Sequence, residues 1–350
     1  MERFYVLEAD AYLKKSGNNL VVTRGAEKLA EIPLQGLQQL TLVGYTSLSG
    51  AALDALIRNR VETVLLSPRG QFRARLMVDE HKHVQRRQAQ YLRLADPAFT
   101  LETARAFVAG KLRSSARLLA LRGAHYEDPE LTRLAAQIKG LESLLSRQQD
   151  LEVVRGIEGH GANLYYQGFP RLLRTPGFVF RGRTRRPPLD PVNALLSFVY
   201  TLLTNEVLTA VKTAGLDPYL GALHVVDYGR PSLACDLVEE WRAFLGDRLV
   251  LSLLNRKVIS PEDFVQRAGE PADPVDEEAL RQSRPVEMKP KVCRALLQTY
   301  ERWMASDIRD PESRQKTDYR GLIHRQVKNF RRYLLGELDR YQPFAWSSVK

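Results

Sequence analysis

Gly229-Arg230-Pro231-Ser232-Leu233-Ala234-Cys235-Asp236-Leu237-Val238-Glu239-Glu240-Trp241-Arg242 reads as a helix with chemistry on one side. Ser232 is of the type that caps a helix beginning at Leu233. Leu233, Leu237 and Trp241 then form the apolar side, and Asp236 and Glu239, three apart, share another face. Gly246 marks the expected end, near Leu245. Two acids at this spacing are also what an ordinary solvated face carries, so the residues alone leave both readings open. Just upstream, His224 lies in a loop short enough to fold back over the acidic face.

Working outward, Asp190-Pro191 opens a second helix, expected to run to about Lys212 with Gly215 just beyond it. Proline at a first helical position loses no needed hydrogen bond. The same signal at Asp128-Pro129 opens a helix with Leu131, Leu134, Ile138, Leu141 and Leu145. Glu102 to Arg122 is helical by the spacing of Phe107, Leu112, Leu118, Leu119 and Leu121. Further helices are expected near 290–305 and 319–341. Residues 267–285 hold three prolines among acids and read as a loop, and 342–350 read as a loose tail.

The first ~80 residues follow another rule. Short β-branched and aromatic runs recur at Phe4–Leu7, Leu20–Thr23, Leu40–Val43, Val64–Ser67 and Phe72–Met77, with turn signals at Ser16-Gly17-Asn18-Asn19, Arg24-Gly25 and Pro68-Arg69-Gly70. The pattern predicts short antiparallel strands, interrupted by one helix from about Gly50 to Asn59. The fold class is therefore α+β: a small β-sandwich over 1–80, followed by a larger all-α domain over 81–350.

Composition narrows the function. The 350 residues carry a net charge of +11, with 44% hydrophobic and 27% charged side chains, and the pI is about 9.6. Such a surplus favours a polyanionic partner, nucleic acid above all. No run of 18 or more apolar residues appears and no signal peptide opens the chain, so a cytoplasmic location with no membrane partner is expected. Cys235 and Cys293 lack metal or redox spacing and read as small buried hydrophobes. There is no His-Glu-x-x-His, no Gly-x-Ser-x-Gly, no phosphate-binding loop around Gly110-Lys111, and the glycines near Glu158 have the wrong order for a dinucleotide fingerprint.

What remains is a set of metal-ligand types. In Arg155-Gly156-Ile157-Glu158-Gly159-His160-Gly161-Ala162 one carboxylate sits among small residues, which let a neighbouring helix or a phosphate backbone come close. Carboxylates with an imidazole suit Mg²⁺ or Mn²⁺. Such an ion polarises a phosphoryl oxygen and stabilises the leaving oxygen in an in-line displacement, by water or by a DNA 3′-hydroxyl. Between Pro170 and Asp190 stand six arginines, Arg171, Arg174, Arg181, Arg183, Arg185 and Arg186, interleaved with Phe169, Phe178 and Phe180. Guanidinium groups grip phosphates and aromatic rings stack on unpaired bases. Arg174, Arg181, Arg183, Arg185 and Arg186 are accordingly the expected DNA contacts. Arg86-Arg87, Lys111 to Arg122 and Arg325 to Arg332 are further basic clusters.

Taken in order, Arg155-Gly156-Ile157-Glu158-Gly159, Arg185 through Tyr200, Leu223-His224, Ser232 through Glu239, Glu287-Met288-Lys289-Pro290 and Ile323-His324-Arg325-Gln326-Val327 resemble the CRISPR-associated spacer integrases, the family of the first CRISPR-associated protein. The resemblance covers nearly the whole chain. It implies a metal held by Glu158, His224 and Glu239, with Asp236 supporting, and a β domain that forms the homodimer. It further implies a small ferredoxin-like second CRISPR-associated protein as partner, insertion of short double-stranded DNA spacers into a CRISPR array, and cleavage of branched DNA. The alternative is a non-catalytic DNA-binding architectural protein, which explains the charge but leaves three ligand-type residues without a purpose. A metal-dependent ribonuclease is a second rival, and a basic membrane-surface protein a third that lacks the amphipathic basic helix it would need.

Overall fold

Asp-Pro and Asp caps set the starts of the main helices. In the computed structural model, which describes residues 2–8, 10–67, 72–76, 83–184, 187–266, 286–310 and 313–346, Asp96 accepts from Ala98 N at 2.9 Å and opens α3 (Pro97–Tyr126). Asp128 accepts from Glu130 N at 3.0 Å and Leu131 N at 3.2 Å and opens α4 (Pro129–Leu145). Asp150 and Asp190 do the same for α5 (Leu151–Gly168) and α6 (Pro191–Thr213). Each cap satisfies an orphan amide and places negative charge at the positive end of the helix dipole.

The N-terminal region is built of two four-stranded sheets. One has the order β1 (Glu2–Val6), β5 (Leu37–Val43), β7 (Glu62–Leu66), β8 (Phe72–Leu76). The other has the order β4 (Glu27–Pro33), β3 (Asn19–Arg24), β2 (Tyr12–Ser16), β6 (Ser47–Leu48). The first sheet corrects the antiparallel expectation: β1, β5 and β7 are parallel and only β8 runs the other way. The reason is α1 (Gly50–Arg58), which carries the chain from β5 back to the start of β7. A helix crossover is what a parallel pair needs. Leu13, Leu20, Val22, Ile32, Leu40, Leu42 and Leu56 close a core between the sheets and α1.

The opposite face of the first sheet looks elsewhere. Val43, Val64 and Leu66 belong to the large core of the helical region, as the period-2 alternation of a strand allows. After α2 (Val84–Ala95) and α3–α6, the chain forms α7 (Ser232–Trp241) and passes through a π-helical turn, Arg242–Asp247, directly into α8 (Arg248–Asn255). A hairpin of β9 (Phe264–Gln266) and β10 (Val286–Met288) precedes α9 (Pro290–Met304). A small hairpin of β11 (Ile308–Arg309) and β12 (Lys316–Thr317) precedes α10 (Tyr319–Leu334).

Gly246 therefore does not end the helix; it sits inside the π-helical turn against Tyr200 and Leu203. The segment expected to be a loop over 267–285 lies outside the described residues. The start of the tail is ordered rather than loose: Phe344 stacks on Trp241 with ring centroids 4.3 Å apart, and its amide donates to Glu240 at 2.7 Å. Among the described residues one helix, α6, is long and apolar enough to cross a membrane by length and composition alone. With 72% of that window buried, it is a core helix of this fold.

Candidate metal centre

Three helices meet at the site because glycine lets two of them touch. A Cβ on Gly161 of α5 would collide with Leu112 of α3. That close approach brings the neighbouring pair, Glu158 on α5 and Lys111 on α3, into an ion pair. Lys111 Nζ also lies 2.9 Å from Glu239 Oε2 on α7, and Arg242 Nη1 lies 2.8 Å from Glu239 Oε1. The two predicted carboxylates, far apart in the chain, thus share one ammonium.

Asp236 is a buried acceptor hub. Its Oδ2 accepts from Ala222 N at 2.7 Å and Leu223 N at 3.0 Å, and its Oδ1 from His224 N at 3.0 Å. The same Oδ1 meets His224 Nδ1 at 2.6 Å. The carboxylate therefore fixes both the loop and the imidazole through Nδ1, leaving Nε2 as the ring's other polar atom. Gly221 is required here, since a Cβ would meet Asp236 Oδ2 and stand 2.9 Å from the Ser232 carbonyl carbon. Arg155, of the glycine-rich segment, donates to Leu223 O at 2.8 Å and ties α5 to the same loop.

Glu239 is 2% exposed. Burial by itself would raise its pKa, but Arg242, Lys111 and His224 outweigh burial and hold the carboxyl at about 2. The acid is ionised at any working pH. Its Oε2 is buried and accepts no hydrogen bond, although it lies within ion-pair range of Lys111. With no well-aligned hydrogen bond, this oxygen is matched by charge, and a divalent cation would satisfy it as the ammonium of Lys111 does.

Among the described residues no three of His, Cys, Asp and Glu are gathered as a ready metal shell. The expected ligands form two linked pairs instead, Glu158 with Glu239 through Lys111 and His224 with Asp236. The donor set, two carboxylates and an imidazole, fits a Mg²⁺ or Mn²⁺ ion by its chemistry.

Several expectations need correction. Ser232 does not cap α7: Pro231 precedes the helix without a side-chain cap, and Ser232 Oγ donates to Val225 O at 3.1 Å. Asp236 and Glu239 are not a solvated face; both are buried. Phe169, Phe178 and Phe180 are buried in the core and present no stacking surface for bases. Arg183 turns inward, its terminal nitrogens donating to Asn193 at 2.8 Å and Ser197 at 2.9 Å, with the guanidinium 5.4 Å from the Tyr200 ring centre. Arg174 and Arg181 are exposed, Arg174 packing over Tyr126. Arg185 and Arg186 lie outside the described residues. Lys111 and Arg242 were missed as site residues. Lys111 looked like part of a basic strip because a sequence does not show that this one lysine of α3 points inward.

The comparisons agree with this architecture. The family model described as CRISPR associated protein Cas1 matches residues 4–282. CRISPR-associated endonuclease Cas1 3 of Thermus thermophilus is 40% identical over 344 residues, covering 97% of this chain and 96% of its own. CRISPR-associated endonuclease Cas1 1 of Chlorobaculum tepidum is 33% identical, covering 99% and 98%. Among solved structures, a Cas1 protein from Thermotoga maritima superposes with a TM-score of 0.78 at 21% identity, over 98% of this chain and 99% of its own. A casposase bound to integration product gives 0.83 at 20% identity, over 98% and 93%. The two-sheet start, the helical remainder and the match over most of the length lead to one conclusion: this chain belongs to the Cas1 family of CRISPR-associated proteins.

Proposed function

We propose that the chain is a divalent-metal-dependent DNA endonuclease and integrase that joins short DNA fragments to a CRISPR array. The observation that carries the reading is the pairing of Glu158 and Glu239 around one cation, beside an imidazole seated by Asp236. Its relatives named as endonucleases support the nuclease half. The superposed casposase is a protein bound to integration product, which supports the integrase half.

In this reading Glu158, Glu239 and Nε2 of His224 would hold Mg²⁺ or Mn²⁺. When bound, that ion polarises the scissile phosphate and offsets charge on the leaving oxygen. The chain's own residues do the rest. Asp236 keeps the His224 ring oriented, so that Nδ1 is occupied and Nε2 is presented. Arg242 prevents Glu239 from taking up a proton. A fragment's 3′-hydroxyl attacks the repeat phosphodiester in line and loses its proton to solvent, the P–O bond opposite breaks, and the leaving 3′-oxygen of the repeat strand takes up a proton; water in place of the hydroxyl gives cleavage. The partners in this reading are a second copy of the chain, through the 1–80 region, and the small ferredoxin-like second CRISPR-associated protein. A complex named Cas6-RT-Cas1–Cas2 contains a chain that superposes on this one with a TM-score of 0.82. The expected cytoplasmic site of action goes with these partners.

The test is replacement of Glu158, His224 or Glu239 by Ala, one at a time. Each variant is expected to lose strand transfer and cleavage by on the order of a hundredfold or more, with duplex binding in gel shifts kept. Full activity in all three variants would sink the reading. Duplex binding with no metal-dependent chemistry in the wild type would favour the architectural alternative.

A further inference from the structure

The two carboxylates already have a cation between them. Lys111 reaches from the middle of α3 toward α5 and α7 with its side chain 14% exposed. Its Nζ pairs with Glu158 and lies 2.9 Å from Glu239 Oε2. The second Glu239 oxygen is engaged by Arg242 at 2.8 Å. Lys111 is thus the cation beside Glu239 Oε2, as Arg242 is the cation beside Oε1.

We propose that Lys111 is a tethered counter-cation that holds Glu158 and Glu239 in ligand position before a divalent metal arrives, and that competes with the metal for them. The inference rests on the metal reading above. Buried Glu239 and part-buried Glu158, brought together without the lysine, repel one another, which raises the free energy of the metal-free protein. A fixed ammonium removes that repulsion. The same ammonium then stands against a divalent ion arriving at the same oxygens, in a place where water screens poorly. Removing the lysine charge should act in two opposite directions. The metal-free protein loses stability, and metal affinity rises. A lysine that served only to pack α3 would give the first effect without the second.

The experiment titrates Mn²⁺ alone into the full-length wild type, Lys111→Met and Lys111→Arg, followed by calorimetry. Lys111→Met is expected to bind Mn²⁺ about tenfold more tightly than the wild type, close to 1.4 kcal/mol. Lys111→Arg, which keeps the charge, is expected to stay near the wild type. The thermal midpoint of the Met variant should be lower without metal and rise further on adding it. Mn²⁺ binding to Lys111→Met as strong as the wild type's or weaker would overturn the proposal while leaving the metal reading intact. No saturable Mn²⁺ site in the wild type, or one unaffected by Glu158→Gln, would overturn the metal reading and this inference with it. If Lys111→Met does not fold without metal, recovery of its circular dichroism along the Mn²⁺ titration reports the same competition. No recovery at concentrations that saturate the wild type would overturn the proposal.

Discussion

Glu239 and Glu240 are adjacent, equally buried and shifted in opposite directions. Glu239 faces Arg242 and Lys111 and is held at about 2; Glu240 faces Tyr341 and the Phe344 amide, and burial pushes it up to about 7 despite those donors. Neighbouring residues on a helix look about 100° apart, so each sees a different wall. That contrast was not legible in the sequence, which showed which residues could be ligands but not which cation each would meet. Asp247 makes the point measurable. Burial lifts its carboxyl to about 6, with Tyr165 and Tyr200 donating to it at 2.5 and 2.6 Å. An acid whose pKa is higher folded than unfolded binds more protons when folded. Its stabilisation is complete below about pH 4 and is lost as pH rises through about 6. We therefore expect wild-type stability in urea to fall between those pH values by on the order of 1–3 kcal/mol more than that of Asp247→Asn. Equal slopes in the two proteins would remove the burial argument. Arg174 and Arg181 give a second residue-scale test. Both are exposed, and replacing both by Ala should lower the salt slope of duplex binding by about one to two units, whereas an unchanged slope would take them out of the interface.

α3 and α5 show how elements place residues that the residues themselves do not announce. The starts of α4 and α6 were plain from Asp128-Pro129 and Asp190-Pro191, and apolar spacing showed α3 and α4, although α3 begins at Pro97 rather than at the expected Glu102. Less visible was that the glycine-rich run around Glu158 lies within a helix rather than at a break. Glycine disfavours a helix interior by up to about 1 kcal/mol relative to Ala, so the local signal argued against one. The tertiary gain explains it: Gly161 accommodates Leu112, and the helix pair can then bring Glu158 to Lys111. The parallel strands were hidden for a similar reason. A short apolar run looks the same whichever way its neighbour points, and only the α1 crossover settles the direction. Gly161→Val would wedge the two helices apart. We expect a loss of about 1–3 kcal/mol in stability and, at temperatures well below the melting point, a tenfold or greater loss of nuclease activity, as Glu158 leaves its partner. Activity that follows only the folded fraction would show that the separation of α3 and α5 is immaterial to the site.

At the scale of the whole molecule, the sheets and the helices are joined by a core and by charge. Val43, Val64 and Leu66 on the first sheet are buried with the helical core, so the helical half and the β-rich half share apolar surface. Around that seam run buried ion pairs. Glu206 of α6 accepts from Arg3 of β1 and from Arg320 of α10, and Arg320 also pairs with Glu301 of α9 at 2.7 Å. Arg75 of β8 pairs with Glu62 and donates to Asn205 of α6 at 2.6 Å. A change from β to helical patterning near residue 80 was visible along the chain, yet it did not reveal this seam, because none of these partners is close in sequence. Removing Glu206 should leave two guanidinium groups facing each other at sites with only 11% and 14% side-chain exposure. For Glu206→Leu we expect a loss of about 3–5 kcal/mol. The protein should still unfold in one transition, because the apolar seam remains. All three tryptophans, Trp241, Trp303 and Trp346, lie in the helical half, so their fluorescence reports that half, while far-ultraviolet dichroism reports both. Coincident midpoints, shifted together to lower denaturant, are the expected result. An unshifted midpoint would show that the ion pairs contribute little, and two separated transitions would show that the charges, rather than the shared core, couple the halves.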